Sequence, residues 1–325
     1  MPAALLNCKP NTTIPLPERG GVPASAHILD QESIDAVNAA LATGRPLLVR
    51  GEPGTGKSQL ARAAAEAMGR VLVSHAVDAR TETRDLLWSV DAVARLAEAQ
   101  VLGAMCEGDL AEAKRRIAVG EFVHPGPLWW AFDWTSALEQ AKRTGVSAPF
   151  QPDDWTVDKG VVVLVDEIDK ADPSVPNGLL DALGHGRFDV PGREPVVMDR
   201  SQKPLVIITT NEERALPDAF LRRCWVLHLP VPEDLTQLLT YLKDRGRAHF
   251  TADDLTDEVL SAAAQMVAKD RQKAKGRGVS APGLAEYIDL LHAVKEQEST
   301  QAAQLTLLIR IGKFALEKHP PEVGA

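Results

Sequence analysis

The sequence predicts an α/β domain, a parallel sheet with helices on both faces, followed by a small all-helical domain. Three observations predict it. Short, mainly apolar runs at 47–50, 161–165 and 205–209 stand among segments of helical periodicity, the signature of buried parallel strands with crossover helices. Aromatic residues are only 5% of the chain while hydrophobic ones are 45%, so burial must come mostly from Ala, Leu and Val. After Pro230-Val231-Pro232 the strand signal disappears and helical periodicity alone continues. At 325 residues the chain also exceeds the roughly 100–200 residues of an ordinary single domain, so two domains are expected.

Residues 1–26 carry Pro2, Pro10, Pro15, Pro17 and Pro23 with Gly20 and Gly21, a density that reads as an extended arm without regular elements. Beyond Ile28, the spacing of Ile34, Val37, Ala40 and Leu41 predicts a helix that Gly44 and Pro46 stop. The run at 47–50 is a strand ending in glycines, 58–68 is helical and 71–76 strand-like. Parallel strands alternating with helices place ligands at the carboxyl ends of the strands. In the C-terminal part helices are predicted at about 233–246, 255–269, 283–297 and 301–317, with Gly276, Gly278, Pro282 and Gly283 between them. The mixed basic stretch 269–277 reads as a solvated helix end.

The formal charge of −9 provides no global field toward nucleic acid or anionic lipid. Cys8, Cys106 and Cys224 lie far apart without a CxxC pair, which argues against a zinc site or a disulfide framework and for a reducing compartment. The opening MPAALLNCKPNTT lacks the basic start of a signal peptide, and no run reaches the roughly 18 apolar residues of a membrane span, so a cytoplasmic protein is expected. His124, His185 and His228 have no mutual ligand spacing and read as structural.

Gly51-Glu52-Pro53-Gly54-Thr55-Gly56-Lys57-Ser58 follows a predicted strand and opens a predicted helix, matching G-x-x-x-x-G-K-[ST] in the context that phosphate binding needs. Gly51, Gly54 and Gly56 permit positive φ and close backbone approach, and Pro53 and Thr55 complete the loop, so that successive N–H groups can cradle an anion at a helix N-terminus. Lys57 supplies a point charge for β- and γ-phosphates, and the Ser58 hydroxyl is a hard ligand suited to Mg²⁺. About 110 residues later, the run 161–165 delivers Asp166 to a strand end, where a carboxylate can serve the same Mg²⁺. Glu167 can orient and deprotonate an attacking water. Asn211 ends the third run; if that strand lies between the other two, its amide can reach a γ-phosphate and the water, and otherwise it is a turn residue. Arg222 and Arg223 follow a short predicted helix and offer planar, permanently charged donors.

GEPGTGKS, LVDEIDKA, TTN and LPDAFLRRC, in this order and spacing, resemble the Walker A, Walker B, sensor 1 and arginine-finger elements of the AAA+ ATPases. More narrowly, Thr83-Arg84-Asp85-Leu86-Leu87, the run from Gly120 to Leu128 and Asn177-Gly178-Leu179-Leu180-Asp181-Ala182-Leu183 are similar to the MoxR branch. The resemblance covers about residues 27–230. It implies a P-loop α/β domain over 27–232 with a helix-2 insertion at about 81–125 and a pre-sensor-1 hairpin at about 187–198, and a helical lid over 233–325. It also implies Walker B roles for Asp166 and Glu167, a sensor 1 role for Asn211, and a finger role for Arg223 with Arg222 as alternate. ATP and Mg²⁺ are the implied ligands. A homo-oligomeric ring, commonly a hexamer, and a von Willebrand factor A-type protein are the implied partners. One departure stands out: 278–284 has no arginine where the lid would present sensor 2, which leaves Arg277 or Lys275 as substitutes. Trp129, Trp130, Trp134 and Trp155 either form a docking face or pack the insertion onto the sheet.

The leading expectation is therefore an ATPase that hydrolyses ATP at ring interfaces to remodel a protein partner. The alternative is a nucleotide-gated scaffold with little turnover, which the absent sensor 2 arginine favours. A small-molecule kinase fits less well, because Glu167 and the finger segment suit water attack, and the acidic balance argues against a DNA motor.

Overall fold

The structure, a computed structural model, describes residues 5–104, 110–199, 203–279 and 281–316. Pro2, Cys106 and Ser280, each part of a sequence reading above, lie outside the described residues. The chain opens with β1 (Thr12–Leu16) and β2 (Ser25–Leu29), then α1 (Gln31–Thr43), β3 (Leu47–Arg50), α2 (Lys57–Met68) and β4 (Val71–Ala76). Next come β5 (Trp88–Val90), α3 (Ala92–Ala104), α4 (Leu110–Arg116), β6 (Val123–Pro125), α5 (Pro127–Phe132) and α6 (Trp134–Thr144). The middle of the chain holds β7 (Val161–Asp166), α7 (Ser174–His185), β8 (Arg187–Phe188), β9 (Val196–Val197), β10 (Leu205–Thr210), α8 (Asp218–Leu221) and β11 (Trp225–His228). Four helices finish it: α9 (Leu235–His249), α10 (Asp257–Gly276), α11 (Leu284–Gln297) and α12 (Gln301–Leu316).

Two compact units result. The first comprises Met1–Cys8, Glu32–Arg50 and Ala64–Leu227; the second comprises Lys9–Gln31, Gly51–Ala63 and His228–Ala325. In the first unit a five-stranded sheet runs in the order β11-β3-β10-β7-β4. Its β3–β10, β10–β7 and β7–β4 pairings are parallel, with Thr210 opposite Arg50 and Ile208 opposite Val165. β10 therefore lies between the strand that leads into the phosphate loop and the strand that ends in Asp166. Every residue of β7 before Asp166 is buried, the expected consequence of a central strand covered on both faces.

Much of that cover is aromatic. Trp129, Trp130, Trp134 and Trp155 are all buried and share a core with Val161, Val163 and Val165. The Trp134 ring lies 4.8 Å from Trp130 and 4.6 Å from Trp155. These tryptophans pack their own segment, 129–155, onto the sheet, so the docking-face alternative fails for want of exposed indole. Ahead of that segment, β5 pairs antiparallel with β6, and the helices between them, α3 and α4, bury no described residue. β8 and β9 pair antiparallel, Arg187 opposite Val197 and Phe188 opposite Val196.

In the second unit α9 to α12 enclose their own core, centred on Leu242, Leu260, Val267, Tyr287, Leu291 and Leu308. The proline-rich segment differs from its sequence reading. It carries the β1–β2 hairpin, paired from Thr12 with Leu29 to Leu16 with Ser25. Ile14 and Leu16 alternate inward there, and an isolated two-stranded ladder tolerates Pro15 because only one of its edges needs donors.

Candidate functional site

Where β7 and β10 end, one buried hydroxyl organises the acidic residues. Thr209, fully buried in β10, donates its hydroxyl proton to Asp166 Oδ1 at 2.6 Å and accepts from the Glu167 backbone N–H at 2.9 Å. Asp166 is thus aimed by a neighbouring strand. Glu167 leaves β7 in the left-handed region, with φ of 60°, a conformation uncommon for a side chain with a Cβ and typical of over-determined sites. Asn211 Nδ2 donates to Glu167 Oε1 at 2.8 Å, and the Lys170 ammonium forms a short ion pair with Glu167 Oε2. The hydrogen bond and charge of Glu167 raise the Lys170 pKa above its ordinary value, so the cation persists at neutral pH.

One turn further, buried Asp169 accepts from the Glu213 N–H at 2.9 Å, tying the loop after Asn211 to the end of β7. The loop runs into α8. At its far end Arg222 and Arg223 are exposed, and neither forms an ion pair with a described residue. The sheet brings Asp166, Glu167 and Asn211 together, and the arginines stand on the following surface. Thr209, Lys170 and Asp169 were not singled out in the sequence. A strand ending in Thr-Thr-Asn and an i,i+3 Glu/Lys pair were the only hints available.

In the second unit the phosphate loop is built around Lys57, buried at the start of α2. Its ammonium donates to the Gly51 and Glu52 carbonyls, each at 2.9 Å, and Thr55 Oγ1 donates to the Glu52 carbonyl at 3.0 Å. Gly54 and Gly56 have φ of +77° and +91°, which a side chain rarely adopts. A Cβ on Gly54 would lie 2.6 Å from that of Ala285 on α11, and one on Gly56 would lie 3.4 Å from His27 Cε1. His27 on β2 is buried, and its pKa falls to about 4 through desolvation first and the charge of Arg245 second. Lys275 and Arg277, the substitutes for sensor 2, are solvated; Lys275 pairs with exposed Glu233 at 3.2 Å. An arginine that the sequence reading passed over, Arg271, is 3% exposed and donates to Glu52 Oε1 at 2.7 Å.

The model of the AAA domain family, dynein-related subfamily, matches residues 46–224. The chain belongs to this AAA domain family. No curated protein matches the chain. Membership makes this protein an AAA+ ATPase in the broad sense, and AAA domains bind nucleotide. The matched segment of this AAA protein takes in the phosphate loop, Asp166, Glu167, Asn211 and the arginines. The described residues include no His/Cys/Asp/Glu cluster of three or more that could hold a metal ion. Among them, too, no helix is long and apolar enough to cross a membrane. Burial pushes the Cys224 thiol up to about 12, consistent with an inert side chain.

Proposed function

We propose that the protein is a MoxR-like AAA+ ATPase that hydrolyses ATP at the subunit interfaces of a homo-oligomeric ring and uses the energy to remodel or assemble a protein partner. The observation that carries the reading is the network in which Thr209 aims Asp166 while Asn211 holds Glu167, three roles drawn from two adjacent parallel strands. Residues 27–232 would then be the hydrolytic domain and 233–325 its lid.

The residues present fit a magnesium nucleotide. Gly54 and Gly56 open the loop backbone, Lys57 is already directed into it, and Asp166 is a carboxylate pinned at a strand end. Ser58 and Asp166 would hold Mg²⁺, which when bound neutralises charge on the β- and γ-phosphate oxygens. Lys57 exchanges its loop carbonyls for phosphate oxygens. Glu167 accepts the proton of the attacking water, and Asn211 orients that water against the γ-phosphate. Arg223, with Arg222 as alternate, reaches a neighbouring subunit's γ-phosphate, which is why an exposed arginine suits the role. The client this reading proposes is a von Willebrand factor A-type protein, as the MoxR resemblance implies.

A scaffold with little turnover is the second reading. It is favoured by the double hold of Lys170 and Asn211 on both Glu167 oxygens, and by the absence of an arginine at the start of α11. Two experiments separate the readings. Arg223→Ala and Lys57→Ala proteins, each nearly inactive alone, should recover phosphate release on mixing, since some interfaces then join an intact loop to an intact finger. Proven co-assembly without recovery refutes the in-trans finger, and phosphate release at background, with or without partner, leaves the scaffold.

A further inference from the structure

Arg271 occupies a position where burial alone would favour an apolar residue. Along α10 the buried positions are Val259, Leu260, Ala263, Ala264, Val267, Ala268, Arg271 and Ala274, one continuous stripe interrupted by a single charge. Burying a guanidinium costs several kcal/mol, and an apolar residue of similar volume is commonly as stable or more so. Core packing therefore gives no reason for arginine here. Its polar contacts do: Nη2 donates to Glu52 Oε1 at 2.7 Å and Nη1 to the Pro282 carbonyl at 3.3 Å. Glu52 belongs to the phosphate loop, and Pro282 immediately precedes the Gly283 cap of α11.

Both ends of this bridge lead to the nucleotide-binding backbone. The Glu52 carbonyl accepts from Lys57 Nζ and from Thr55 Oγ1, so the position of Glu52 sets that of the loop lysine. The first turn of α11 meets the same loop again at Ala285, against Gly54. We infer that Arg271 is a positioning residue for the phosphate loop: it fixes Glu52, and through it Lys57, and so makes nucleotide affinity depend on the seating of α10 and α11. The inference rests on the nucleotide-site reading above. It replaces the search for a sensor arginine at the start of α11 with one on the preceding helix, acting on the loop and not on the γ-phosphate.

Because the loop would hold the phosphates shared by diphosphate and triphosphate, loss of Arg271 should weaken ADP and ATP alike and leave the chemical step in place. The test uses the 325-residue chain with Arg271→Met, Glu52→Gln and the double variant, measuring ADP and ATP dissociation constants, kcat, and thermal unfolding without nucleotide. The bond to Glu52 is charge-assisted and acts on affinity only through the loop, so Arg271→Met should raise both dissociation constants measurably, by up to about 10–100-fold. Its kcat at saturating ATP should stay within about twofold and its unfolding temperature should hold or rise. Glu52→Gln keeps an oxygen that can accept from Arg271 but removes the charge, so it should weaken binding in the same sense with some loss of stability, and the double variant should be no weaker in binding than Arg271→Met alone. Unchanged affinities, additive losses, or a drop in unfolding temperature with affinity intact overturn the inference. Weakened ATP with normal ADP and a collapsed kcat also overturns it, in favour of direct γ-phosphate contact. If the unaltered protein binds neither nucleotide while Lys57→Ala is indistinguishable from it, the nucleotide-site reading itself fails and takes this inference with it.

Discussion

Replacing Thr209 by Val removes one hydroxyl and little else, which makes it a sharp probe of the acidic end of the sheet. The hydroxyl makes two bonds in a fully buried position: it donates to Asp166 Oδ1 at 2.6 Å and accepts from the Glu167 N–H at 2.9 Å. The first is charge-assisted and worth about 1.5–3 kcal/mol, and stranding the second partner costs about 1–3 kcal/mol. Asp166 is only partly buried and can recover some solvation, so the net loss expected is about 2–4 kcal/mol. Urea unfolding followed by tryptophan fluorescence reads this directly, because Trp129, Trp130, Trp134 and Trp155 lie in the same unit as Thr209. The midpoint should fall with an unchanged m-value. A functional effect accompanies it. Groups that orient a metal ligand typically contribute about 10–100-fold to metal affinity, so the Mg²⁺ concentration needed for half-maximal ATP turnover should rise by roughly that factor. Stability within about 0.5 kcal/mol of the parent, together with an unchanged Mg²⁺ requirement, would refute the claim that Thr209 aims Asp166.

Three other outcomes are expected. Gly54→Ala puts a side chain at φ of +77° and 2.6 Å from the Ala285 Cβ, so it should destabilise by at least about 1 kcal/mol and weaken nucleotide binding; a neutral effect in calorimetry and denaturation means the loop is not held as described. Lys275→Ala and Arg277→Ala should each leave the ATPase rate within about twofold, as expected of solvated charges, and a hundredfold loss in either would restore it as a sensor. His27 has a folded pKa of about 4 against 6.5 unfolded, so below pH 6.5 the unfolded chain takes up the proton first and stability falls as pH drops toward 4. His249, lowered likewise to about 4, adds to the same fall, while Asp30 opposes it. His27→Gln should therefore flatten the pH profile of unfolding free energy, by up to about 2 kcal/mol at pH 5, and an equally steep profile in the variant removes His27 from the account.

The parallel strands, the glycine-rich turn between β3 and α2 and the four C-terminal helices were legible in the sequence, because each is a local pattern: an apolar run, a glycine spacing, a helical period; Asp166, Glu167 and Asn211 were legible as polar residues at strand ends. The placement of β10 between β3 and β7 was legible only as a condition, since strand order depends on pairings between residues some 40 to 160 positions apart. Only the tertiary structure decided the β1–β2 hairpin, where the density of prolines outweighs the weak local signal of alternating Ile14 and Leu16. It also decided that the four tryptophans are core, because neither outcome changes the composition of the segment that carries them. Thr209 and Arg271 are the clearest cases. A threonine in an apolar run and an arginine in a helix near other basic residues have ordinary local meanings, and their partners lie 43 and 219 residues away along the chain. A buried hydroxyl or guanidinium takes its role from the group that satisfies it, and that group is chosen by the packing of strands and helices distant in sequence.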